Sequence, residues 1–183
     1  GFYPKKWDTK GFEWVTPILK LSKSGVPMWF YRYNWNECPL TIHDIMLKNL
    51  KTLIKLNKDL KSVVIIAHSF GGLITTLLSE SWDNEFPIKT HAIATGLARI
   101  NNNLKYKDCQ NPKKDKYTIA SNVKYIQWAT IKHQDGIFKH LKQDPQKVEI
   151  INGKRILLPK KYNGIRIGHN SSLLYVIDNF TRY

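Results

Sequence analysis

The 183-residue chain carries 29 Lys and Arg against 14 Asp and Glu, a formal charge of +15, with 42% hydrophobic and 23% charged residues. That size and balance fit one folded domain with a buried core and exclude an intrinsically disordered chain. No apolar run nears the roughly 18 residues of a membrane-spanning helix; the longest clean one is Val63–Ala67.

Taken in chain order, strand-like and helix-like segments alternate, the pattern of a mostly parallel sheet covered by helices. Val26–Tyr33, aromatic and apolar after Ser24-Gly25, is expected to be a strand. Pro39-Leu40 breaks the chain, and Thr41 opens a helix with Asp44 three residues on, close to a capping box. Ile42, Ile45, Met46, Leu50, Leu53 and Ile54 keep helical spacing, and Lys48, Lys51, Lys55 and Lys58 form the solvated face. Val63–Ala67 is a β-branched run expected to be buried on both faces. Phe70–Ser81 is helical, with Leu73, Leu77 and Leu78 as its stripe, and Ile88–Ala94 is a short strand. Asn101–Tyr117, polar and lysine-rich with Pro112, is expected to be an exposed loop or small cap, at about 97–120. Val123–Thr130 is a strand. Val148–Ile151 and Arg155–Leu158 flank Asn152-Gly153, which suits a type I′ hairpin. A strand at Gly164–Ile167 leads to His169, and Leu173–Phe180 closes the chain as a helix. No repeat or linker interrupts the sequence, so 1–183 is read as a single domain.

The chemical signal is densest at Val63-Val-Ile-Ile-Ala-His-Ser69-Phe-Gly-Gly72. A buried strand runs into a serine and a helix begins straight after it, the arrangement that projects a hydroxyl from a strained turn. Such a turn tolerates only small residues two positions either side of the serine, here Ala67 and Gly71. The Phe70 N–H and the positive end of the helix then lie where an oxyanion would form. A structural or phosphate-binding Ser-Gly-Gly turn is the competing reading, but the segment lacks a P-loop lysine and dinucleotide-type glycine spacing.

A serine nucleophile needs a base, and the base an orienting acid, in the chain order Ser, acid, His for this architecture. Of six histidines, His169 follows a strand and precedes the last helix, as a base should; His133 and His140 would invert the order. Asp135, in a short loop after Val123–Thr130, is the acid of choice. Asp144 is its rival, and Asp178 follows the histidine. His68, beside the serine, points away from it and is read as a packing residue.

Ala-His-Ser-Phe-Gly-Gly, Gln-Asp-Gly-Ile and Gly-His-Asn-Ser-Ser, in this order, resemble the α/β-hydrolase superfamily and its lipase and serine-esterase branch. The resemblance spans nearly the whole chain, and its serine segment is the most specific part. It implies catalytic Ser69, Asp135 and His169, a carboxylic ester or lipid ester as substrate, an acyl-enzyme intermediate and no cofactor or metal. Gly1-Phe2 resembles the end of the family's His-Gly-apolar loop, which makes the Phe2 N–H the second oxyanion donor beside that of Phe70. The same match implies that the N-terminal strands of the sheet are missing, so the chain is expected to be a fragment. A catalytically inactive binding module, a thioesterase and an acyltransferase remain open alternatives.

The charge favours anionic partners, and peripheral contact with an anionic membrane surface fits better than nucleic acid, for which no basic-aromatic motif is present. An AT-rich coding sequence would give the same lysine excess without selection for binding. Gly1–Lys10 is not a signal peptide, the chain begins without Met, and the compartment is left open. Cys38 and Cys109 form no metal-type pair; a disulfide is open to them if the fold brings them together, but two buried or free thiols are expected. Asn170 and Asn179 each begin an N-x-S/T sequon.

Overall fold

The computed structural model describes residues 14–99 and 109–183. Four strands, β1 (Val63–His68), β2 (Ile88–Ile93), β4 (Val123–Ala129) and β6 (Gly153–Leu157), form a parallel sheet in the order β1-β2-β4-β6. β1 and β2 are joined through helix α3 (Phe70–Ser81), the right length for a parallel crossover. The remaining strands make two small pairs, β3 (Lys116–Thr118) parallel with β5 (Glu149–Ile151), and β7 (Lys161–Tyr162) antiparallel with β8 (Ile165–Arg166).

Alternate side chains of the sheet feed two apolar layers. On one face Ile88, Ala92, Val123 and Tyr125 pack with Leu50 of α2 (Pro39–Leu56) and Leu78 of α3. On the other, Ile93, Ile126 and Trp128 pack with Leu173 and Val176 of α4 (Ser172–Asn179), beside which lies α1 (Val15–Ser22). The fold is therefore α/β, with a mostly parallel sheet flanked by helices.

Several local expectations need correction. Val26–Tyr33 is extended but forms no strand, and Val26, Trp29 and Phe30 are exposed; no described strand runs alongside to accept its hydrogen bonds. α2 starts at Pro39 rather than Thr41. Proline suits a first helical turn because its fixed φ is already helical and the N–H it lacks would have no intrahelical partner. Asp44 pairs with His43 instead of closing a capping box. β1 is not buried on both faces: among the described residues it lies at the end of the sheet, with Val64 46% exposed. The helix α1 leaves little trace in the sequence, its short apolar pattern being interrupted by Pro17, which is buried in the first turn.

Asn152-Gly153 turns out not to make a hairpin. β5 and β6 pair with different strands, and Gly153 is needed for space: a Cβ there would lie 2.5 Å from Ile150 Cγ2 and 3.0 Å from Tyr125 Cδ1. The two-residue hairpin is at Asn163-Gly164, where φ is 50° and 77° and both residues are left-handed, as a type I′ turn requires. The expected loop at Asn101–Tyr117 ends in β3, and 100–108 lie outside the described residues. Cys38 and Cys109 are joined as a disulfide, their Cα atoms 5.5 Å apart. Their spacing of 71 residues gave no hint of that proximity, which the fold creates by bringing the start of α2 beside the chain leading to β3.

Candidate active site

Ser69 occupies the junction between β1 and α3 at φ 54°, ψ −121°, a strained conformation for a residue with a side chain. Its N–H donates to Ile93 O (2.8 Å) and its carbonyl accepts from Gly72 N–H (3.0 Å), so the turn is held from both sides. Packing requires a glycine at 72 and crowds the position at 71. A Cβ on Gly72 would lie 1.8 Å from Thr95 Oγ1, and one on Gly71 would lie 3.3 Å from the Tyr33 hydroxyl. α3 can thus start directly at the serine and settle against the end of β2.

The three residues singled out for chemistry come together. Ser69 Oγ lies 2.9 Å from His169 Nε2, and His169 Nδ1 lies 3.0 and 3.1 Å from the two oxygens of Asp135. The carboxylate fixes the proton on Nδ1, which leaves Nε2 free to accept the serine proton. Phe138 and His68 both stand edge-on to the His169 ring, at 5.2 and 4.7 Å between ring centres.

Asp135 is wholly buried after a single 3-10 turn, Lys132–Gln134. Besides His169, it accepts from Thr130 Oγ1 (2.6 Å) and from the N–H groups of Ile137 (2.9 Å) and Phe138 (3.0 Å). Burial alone raises its pKa. The His169 hydrogen bond and charge, with the Thr130 and Phe138 bonds, outweigh burial and hold the carboxyl below its ordinary value.

The rival residues are occupied elsewhere. Asp144 accepts from Gln146, whose side chain clamps Thr130: Gln146 Nε2 donates to Thr130 O (2.9 Å) and Thr130 N–H donates to Gln146 Oε1 (2.8 Å). Asp178 pairs with Lys20 and accepts from the Tyr162 hydroxyl. His133 and His140 are exposed. Thr130 and Gln146 therefore belong to the support of the acid, and no motif in the sequence marks them. Phe70 is the first residue of α3, with its N–H adjacent to Ser69, whereas Phe2 lies outside the described residues.

His68 packs inside the protein as expected and makes a polar contact besides. It is 4% exposed, and its Nε2 lies 2.7 Å from the main-chain carbonyl of His169. Among the described residues, no group of three His, Cys, Asp or Glu side chains is placed to hold a metal ion, and no helix is long and apolar enough to cross a membrane. No family model matches the chain, and no curated protein is significantly similar to it. The chain is an α/β protein built on a four-stranded parallel sheet.

Proposed function

We propose that the protein is a serine hydrolase of the α/β-hydrolase type, acting on carboxylic esters of the kind that lipases and esterases cleave. The observation that carries this reading is the unbroken relay from Ser69 Oγ through His169 to the buried Asp135 carboxylate. A structural serine at a strand-to-helix turn needs no histidine on its hydroxyl, and a structural histidine needs no buried acid behind it.

In this reading His169 Nε2 takes the proton as Ser69 Oγ bonds to the ester carbonyl carbon. The carbonyl π electrons move to oxygen, forming an oxyanion that the Phe70 N–H and the start of α3 stabilise. As the intermediate collapses, the C–O bond to the leaving group breaks and His169 returns the proton to the departing alkoxide. Water then repeats the sequence on the acyl-enzyme, releasing the acid and restoring Ser69. Asp135 stays ionised throughout and stabilises the transient imidazolium. The net positive surface suits approach to an anionic lipid interface, which makes lipid esters the first substrates to try.

The test is labelling by a fluorophosphonate, with the modified residue identified by mass spectrometry. Labelling at Ser69 that Ser69→Ala abolishes is the expected outcome. A folded, complete protein that does not label at Ser69 would sink the reading.

A further inference from the structure

His68 is the last residue of β1 and is followed directly by Ser69. Its ring is enclosed, with Trp14 edge-on at 5.0 Å and the His169 ring at 4.7 Å. At this depth an apolar side chain would be the inexpensive choice, since burying a polar ring requires a partner for it. The partner is the His169 carbonyl, 2.7 Å from Nε2.

We infer that His68 is a positioning residue for His169: its Nε2–H bond to the His169 carbonyl fixes the loop from which the imidazole reaches Ser69. The inference rests on the hydrolase reading of the relay. One short piece of chain then sets both ends of the Ser69–His169 contact. Ser69 hangs from the end of β1 through its backbone, and His169 is tied to the same end through the side chain of His68. A small shift of β1 against the rest of the sheet moves nucleophile and base together, preserving the 2.9 Å separation.

The rest of the loop shows why that tie matters. The His169 carbonyl also accepts from Ser172 Oγ (2.6 Å), and the Gly168 N–H donates to Ser171 Oγ (2.8 Å). Those bonds are local and hold the loop to itself and to the start of α4. The approach of Gly168 to Gln134 O, 3.1 Å from where a Cβ would stand, sets it against the acid loop. The His68 bond links the same loop to the strand that carries the serine. Burial, and then the nearby His169, push the His68 pKa down to about 3, so His68 remains a neutral donor while His169 takes up the serine proton.

Three variants of the full chain separate positioning from packing. His68→Gln can place an amide N–H near the Nε2 position, His68→Asn stops short of it, and His68→Leu fills space without a donor. With folding verified by circular dichroism, Leu and Asn should slow fluorophosphonate labelling of Ser69 by about 10- to 100-fold, the scale expected when a reacting group is misplaced by about 1 Å. Gln should come within about three-fold of the wild type, whatever the order of their melting temperatures. Labelling as fast in Leu or Asn as in the wild type, or as slow in Gln as in Asn, overturns the inference. Should Leu not fold, the Asn and Gln pair decides. Should the wild type not label at all, the hydrolase reading fails by itself, and the downfield Nδ1–H proton of His169 in NMR spectra becomes the readout. Its loss in Asn and return in Gln supports positioning; its presence unchanged in all variants overturns it.

Discussion

A buried carboxylate is tolerated when hydrogen bonds replace the water it has lost, and Asp135 collects them from His169, Thr130, Ile137 and Phe138. Two consequences can be measured. Thr130→Val removes a side-chain donor from a charged group and should lower unfolding free energy by about 1–3 kcal/mol in urea titrations. Asp135→Asn keeps the shape but loses the charge and favours the wrong His169 tautomer, so ester turnover should fall on the order of 10⁴-fold. The depressed pKa of Asp135 also has a defined acid signature. Its stabilisation is fully present above the ordinary aspartate pKa of about 3.9 and is lost as pH falls through the lower folded value. Melting temperatures of the wild type should therefore decline below about pH 4, with a shallower decline in Asp135→Asn.

Among the elements, α3 depends most visibly on one residue. A methyl at Gly72 would collide with both the Oγ1 and the Cβ of Thr95, at 1.8 and 2.9 Å. Gly72→Ala should therefore cost about 1–3 kcal/mol despite the better helix propensity of alanine. Adding Thr95→Ala removes the closer clash and leaves the other, so the double variant should recover part of the loss. Thermal melts of the three variants would show it. The same region was the most legible in the sequence, because a β-branched run, a serine flanked by small residues and an apolar helix follow one another without a break. Asp135 and His169 were readable because each follows a strand. Pairing was not readable. Asn152-Gly153 and Asn163-Gly164 are the same dipeptide, yet only the second turns a hairpin, since partner choice depends on strands distant in sequence. The hydrogen bond of His68 is not readable for the same reason: its partner lies 101 residues away.

Across the whole molecule, the Cys38–Cys109 bond closes a 71-residue span in a chain whose core clusters are modest in size. The chain-entropy model gives such a loop about 4 kcal/mol of stabilisation. Melting with and without reductant, and in Cys38→Ser, should reveal a loss of that order. No loss would mean that the reduced unfolded chain already keeps the two segments close, or that the start of α2 loosens in the folded state once the bond is cut. The bond also marks where the protein can persist oxidised, since structural disulfides survive chiefly in oxidising compartments. Of the two sequons, only Asn170 offers a partly exposed side chain; Asn179 is buried and donates to Tyr175 O (2.8 Å).

The disulfide also divides the chain into a closed ring and two tails. β1, Ser69, α3 and β2 lie inside the ring, while Asp135 and His169 lie on the tail beyond Cys109. A protease that cuts once between Cys38 and Cys109 would therefore open the ring without separating the serine from its partners. The nicked protein should migrate as one species without reductant and as two with it. Treated with a fluorophosphonate before electrophoresis, it should carry its label wherever the Ser69 fragment goes.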